Sequence, residues 1–212
     1  MKQLLSRRLA RMAGMSGVIL VLGAGATAGP AMAANKFALA GPLSQSTDTS
    51  ASSAPALTQP FQSIGDSNLY ALAPGESPDS FAGTGWTLGG GARIVQTTLA
   101  DGTTGSVLDL PSGATAISPQ MCVTSDYQTA RTFVRDVVGS EGVQVGVSYA
   151  GAAVQTVGQV HGQQAAWTVS TPFNVQPSSV TGWQLAQFAF AAKGKSGDFQ
   201  IYDFYVDPRM RY

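Results

Sequence analysis

A chain of 212 residues allows one domain of ordinary size beside a processed or flexible segment. Only 11% of its residues are charged, against roughly 25% in typical soluble domains, so its surface is one of hydroxyls and amides. Formal charge sums to zero, but Lys2, Arg7, Arg8 and Arg11 lie at the start and no acid precedes Asp48; beyond residue 33 eight basic side chains face twelve acidic ones. A mildly acidic body speaks against nucleic acid and anionic lipid as partners.

Residues 1–33 follow the export pattern. A basic start leads into an apolar run at 18–22, and Pro30 precedes Ala31-Met32-Ala33, small residues where signal peptidase cleaves. A membrane anchor needs about 20 strongly apolar residues, whereas Gly14, Gly17, Gly23, Gly25 and Gly29 dilute this stretch. Arg7-Arg8 hints at the twin-arginine route, and no cysteine near the cleavage site offers a lipid anchor. The expectation is a secreted protein with no membrane span after processing. Residues 34–60 are rich in Ser, Thr, Ala and Pro, and 44–53 hold no large apolar side chain. Such a leader cannot bury enough surface to offset its ordering entropy and is expected to be disordered.

Over 61–212 short apolar runs alternate with turn residues. Strands are expected at 68–73, 86–88, 93–97, 106–110, 115–124, 131–138, 143–150, 154–160, 166–175, 183–192 and 198–206. The clearest alternation sets Val143, Val145, Val147 and Tyr149 against Gln144, Gly146 and Ser148, the period of a strand with one face in the core and one in water. No later stretch shows a capped helical period. Regularly spaced strands without helices specify an all-β antiparallel sandwich of the jelly-roll type. Cys122 is the sole cysteine, so no internal disulfide supports the fold. Flanked by Met121 and Val123, it is expected to be a small buried hydrophobe, with pairing between chains as the alternative.

Three segments carry a resemblance. Leu72-Ala-Pro-Gly-Glu-Ser-Pro-Asp-Ser-Phe81 and then Gly85-Trp-Thr-Leu-Gly-Gly-Gly-Ala-Arg-Ile-Val95 resemble the opening of secreted jelly-roll domains, which run as an N-G-x-F-E element, a G-W strand and a Gly-rich turn. Gly197-Asp-Phe-Gln-Ile-Tyr-Asp-Phe-Tyr-Val-Asp-Pro208 resembles their last strand. The likeness covers roughly residues 61–212 and points to carbohydrate-binding-module and galactose-binding-like jelly rolls, which implies glycan binding. Ser118-Pro-Gln-Met-Cys-Val123 is similar to an element of a group of exported actinobacterial proteins, which implies nothing about activity. Related binding modules often hold a structural calcium near the last strand. The resemblance would assign it to Asp203, Glu76 and Asp79, but the usual paired Asp is Tyr202-Asp203 here. Otherwise Asp203 caps a turn or pairs with an Arg. No other cofactor is implied.

Little supports catalysis. Nucleophilic chemistry would rest on His161, the sole histidine, and no G-x-S-x-G elbow exists. One His and one Cys exclude a zinc cluster. Glu76 and Glu141, the only glutamates, sit in turn-rich stretches where acids are usually solvated. Glycan binding uses aromatic platforms against which sugar C–H faces pack. Trp86, in the G-W strand, is expected in the core. Trp167 and Trp183 have more polar neighbours and are the platform candidates, with Tyr127 beside them and Tyr149 and Tyr202 as further aromatics. Arg131 and Arg135, four apart, share one strand face and suit an acidic ligand, or simply solvate a sheet. The competing class is a structural or adhesive protein that self-associates through its sandwich.

Overall fold

The computed structural model describes residues 46–176 and 180–208; the expected signal peptide and the first part of the leader lie outside them. Thirteen strands and one 3-10 turn (Gln62–Ile64) make up the described chain. The first sheet contains β1 (Ala71–Leu72), β3 (Arg93–Thr98), β4 (Thr104–Pro111), β7 (Tyr127–Val138), β10 (Thr168–Val169), β11 (Phe173–Asn174) and β13 (Asp198–Pro208). The second contains β2 (Thr87–Gly89), β5 (Thr115–Ile117), β6 (Met121–Val123), β8 (Val143–Tyr149), β9 (Gln155–Val160) and β12 (Gln184–Ala192). All pairings within the two sheets are antiparallel. The orders are β10-β7-β13-β4-β3 and β2-β5-β12-β8-β9. The chain crosses between sheets after β1, β2, β4, β6, β7, β9, β11 and β12, the jelly-roll path expected from the strand spacing. No described helix is long and apolar enough to cross a membrane.

Two long expected strands are each split by a proline, which has no N–H to donate to a ladder. Pro119 separates β5 from β6, yet both still pair with β12, and between them the Phe188 N–H donates to Ser118 Oγ at 2.9 Å. Pro172 separates β10 from β11, both on β7. β13 changes partners partway. Asp198–Ile201 pairs with β4 and Tyr205–Val206 with β1, while β7 runs along the other side. The register slips between Tyr202 and Tyr205, where Asp203 takes φ +54°, the left-handed conformation that Asp tolerates better than most residues.

Alternation sends one side of each sheet inward. Phe188 and Phe190 of β12 meet Phe204 of β13 with ring centroids 4.9 and 5.0 Å apart. Each fully buried Phe contributes roughly 1.5–3 kcal/mol. Trp86 lies in this core as expected, 9% exposed, its Nε1–H donating to Pro74 O at 2.9 Å. Gly75 at φ +82° makes room for it; a Cβ there would lie 2.1 Å from Thr84 O and 2.9 Å from the Trp86 ring.

Three expectations are corrected. Gln144 and Ser148 on β8 are as buried as the valines between them, so this strand has no watered face. Cys122 is half-buried, because Met121 and Val123 take the core side and strand geometry turns the residue between them outward, where Ser52 Oγ hydrogen-bonds its sulfur. The described part of the leader, residues 46–60, lies on the sandwich: Thr58 and Tyr70 exchange backbone hydrogen bonds at 2.9 and 2.8 Å, and Leu57 packs on the core.

Candidate functional site

The outward face of the first sheet collects the polar and aromatic side chains. On β7 Arg131, Phe133 and Arg135 alternate with Ala130, Thr132 and Val134, which are fully buried. Across the strand pair they stand opposite Tyr205, Tyr202 and Gln200. A ladder of side chains then crosses the sheet. The Arg135 Nε–H donates to Gln200 Oε1 at 2.8 Å, and Gln200 Nε2 donates to Asp109 Oδ1 at 2.6 Å. Asp109 Oδ2 pairs with Arg93 at 2.5 Å, and a second Arg135 N–H donates to Thr97 Oγ1 at 2.6 Å. Asp109 is buried, whereas the Arg93 side chain is 58% exposed, so the ladder begins under the surface and ends in water.

Trp167 lies over this ladder. The loop ahead of β10 brings it across the face, and its Nε1–H donates to Thr98 O at 2.8 Å, on the far edge strand. The Arg135 guanidinium sits 4.6 Å from its ring centroid, and the Tyr202 ring meets it edge-on at 4.8 Å. Tyr202 in turn stacks on Phe133 at 4.8 Å and 10°. Burial lowers the pKa of Arg135, with the Asp109 charge acting against the shift. The half-buried indole is held by hydrogen bond, cation and ring, at little further ordering cost on binding.

Farther along the same face Phe133 and Tyr205 wall a cavity of about 260 Å3, which Pro60, Pro78, Asp79 and Asp203 also line. The Asp79 N–H donates to Asp203 Oδ1 at 3.0 Å, and the Phe204 N–H donates to Glu76 Oε2 at 3.2 Å. The Glu76 carboxyl is enclosed, with Oε1 unpartnered, and burial holds its pKa well above the usual carboxylate range. Asp203 is pushed up to about 7, by burial first and then by the Asp79 charge.

The expected site residues therefore separate. Trp167 and Arg135 come together. Arg131 shares their face but is tied down: it pairs with Asp66, donates to Ser170 O at 3.0 Å and lies 5.1 Å from the Phe61 centroid. Tyr127 is buried, which with the Asp126 charge raises its pKa, so it is corrected from ligand contact to core. Trp183 precedes β12 in the other sheet and packs on the core away from this face. Glu76, Asp79 and Asp203 do approach one another, but no three acidic, His or Cys side chains among the described residues are grouped to hold a metal. The calcium expectation does not fit: Asp203 and Glu76 each accept a backbone N–H, and Glu76 does not line the cavity where Asp79 and Asp203 meet. Phe133, Gln200, Asp109 and Thr97 were not singled out by residue type. Alternation along β7 and β13 is the signal for Phe133 and Gln200, and along β4 and β3 for Asp109 and Thr97.

No family model and no curated protein matches the chain. Solved structures similar to it include the CBM22-1 xylan-binding domain of Paenibacillus barcinonensis Xyn10C, at 15% identity and TM-score 0.37 over 58% of this chain and 85% of that one. The family 11 carbohydrate-binding module of Clostridium thermocellum Lic26A-Cel5E is 11% identical at TM-score 0.37, over 60% and 89%. A family 43 arabinoxylan arabinofuranohydrolase of Bacillus subtilis is 16% identical at TM-score 0.40, but 55% of this chain spans only 25% of that enzyme. Likenesses at this level concern the fold alone, an antiparallel β-sandwich, and none bears on what the chain binds.

Proposed function

We propose that this protein is an exported, non-catalytic glycan-binding module that takes its ligand on the outward face of the first sheet. The observation that carries the reading is Trp167, fixed over a ladder of guanidinium, amide, carboxylate and hydroxyl groups. A sugar offers an apolar C–H face to such a ring and hydroxyls to such a ladder. The test is titration calorimetry of the mature protein against a panel of soluble polysaccharides. Trp167→Ala is expected to weaken binding at least ten-fold, about 1.4 kcal/mol, while circular dichroism shows the sheet intact. Unchanged affinity in that variant, or no binding to any saccharide, would overturn the reading. Self-association is favoured by a different observation, the exposure of Val137, Val138 and Ile94 at strand ends and on the edge strand β3. Sedimentation analysis of the wild type against Ile94→Lys distinguishes it.

A further inference from the structure

Asp79 and Asp203 line the cavity beside the ladder, and no cation among the described residues forms an ion pair with either. Asp203 is only 3% exposed, and its Oδ1 takes a single N–H, from Asp79. Oδ2 has no hydrogen-bond partner among the described residues, and the side chain lines the cavity. Behind it the enclosed Glu76 carboxyl keeps Oε1 unpartnered, and Asp79 stands at the rim. No lysine or arginine lines the space. The nearest cation on the sheet, Arg131, is consumed by Asp66 and Ser170 O. The remaining walls are the Phe133 and Tyr205 rings, Pro60 and Pro78, with Thr58 and Gln59. Among the described residues twelve acidic side chains face five basic ones, an excess of the same sign.

We propose that this cavity is the subsite for the protonated amine of a de-N-acetylated amino sugar, with Asp79 and Asp203 holding the ammonium and Phe133 and Tyr205 packing the ring. This rests on the glycan-binding reading and specifies its ligand. A neutral sugar would satisfy hydrogen bonds here but leave the buried Asp203 carboxyl either protonated or ionised without a counter-charge. An ammonium donates to the open Oδ2 and cancels the charge, and aromatic walls favour a cation. A bare metal ion would ask for six to eight oxygens, whereas only two carboxylates line this cavity and no three acidic, His or Cys side chains among the described residues are grouped to hold one. The location is consistent with a chain ligand: Phe133 lines the cavity and stacks on Tyr202, which meets Trp167. One bound chain can therefore occupy both places.

The experiment is calorimetry of the mature protein with glucosamine hexasaccharide, its fully N-acetylated form, and cellohexaose. The deacetylated hexasaccharide is expected to bind at least ten-fold more tightly than the acetylated one. Asp203→Asn and Asp79→Asn should each bring that ratio near one, since Asn keeps the shape and tolerates the positive φ at both positions. Glu141→Gln, at an exposed turn acid, should leave the ratio in place. Equal affinity for the two hexasaccharides, or a loss in the Glu141 variant as large as in the Asp203 variant, would overturn the amine subsite. Trp167-dependent binding of cellohexaose without amine preference overturns this inference and leaves the glycan reading standing. Failure to bind any of the three overturns both.

Discussion

Trp86 and Trp167 have the same side chain and different duties. Trp86 is enclosed by Phe81 and Phe190, with centroids 4.8 and 5.8 Å away, so Trp86→Ala should cost about 3–5 kcal/mol in urea unfolding. Trp167 is half-buried, and its loss removes one hydrogen bond, one edge contact and the Arg135 cation contact; Trp167→Ala should cost about 1–3 kcal/mol. The proposed platform also donates to Thr98 O and is thus not free of the fold, so binding losses in this variant must be read beside its melting curve. Cys122 is a simpler case. With its sulfur under Ser52 rather than in the core, Cys122→Ala should cost no more than about 1 kcal/mol. Native labelling by a thiol reagent should go faster in Ser52→Gly than in the wild type; equal rates would show that Ser52 does not shield it.

At the scale of elements, the segment ahead of β1 works as part of the first sheet. Phe61, Tyr70 and Tyr205 form a small second core on its outward side, with Phe61 centroids 5.0 and 5.5 Å from the two tyrosines. Arg131 and Asp66, with side chains 14% and 17% exposed, close it. The Tyr70 hydroxyl donates to Asp66 Oδ2 at 2.6 Å, and burial, then Asp66, pushes its pKa up to about 12. A chain begun at residue 61, the boundary expected from composition, would lose both Thr58–Tyr70 hydrogen bonds and the Leu57 contact. It should unfold about 2–4 kcal/mol more easily than one begun at residue 46, by chemical denaturation of the two; equal stability would sink the idea that this arm is structural.

For the molecule as a whole, the buried acids set how stability follows pH. The pKa values of Asp203 and Glu76 are raised in the folded state, both by burial first; Asp198 is raised by burial and then by the Asp109 charge. Such groups hold their protons more tightly folded than unfolded, so their contribution is complete below about pH 4 and is lost as pH rises through each folded value, which is about 7 for Asp203. Asp66 acts in the opposite sense. Burial works to raise its pKa, but hydrogen bonds from Tyr70, the Asn68 N–H and Arg131 outweigh it and lower the value. Its contribution persists at neutral pH and fades only in stronger acid. Thermal midpoints should therefore fall between pH 4 and pH 8, and Asp203→Asn should gain roughly 2–4 kcal/mol at pH 8 and almost nothing at pH 4. A gain independent of pH would show that the carboxyl is not the cause.

The strands were legible in the sequence because each needs only local information: a run of apolar or β-branched residues, a period of two, and a Gly or Pro at its ends. That is why Val143–Tyr149, Gln184–Ala192 and the core position of Trp86 could be placed from residue order, and the sandwich with them. The expected export signal and cleavage site are likewise read from the residue string alone. Which side of a sheet faces water is not local. Gln144 and Ser148 look like surface residues and are buried, and Cys122 looks like core and turns outward. The candidate site was legible only in Trp167 and Arg135. Gln200, Asp109 and Thr97 join them because β13, β4 and β3 lie side by side, and Arg131 leaves them because Asp66, 65 residues earlier, reaches it first. Strand order and register decide which side chains meet, and they depend on contacts far apart in the chain, so the charge, enclosure and partners of each site residue were decided by the tertiary structure.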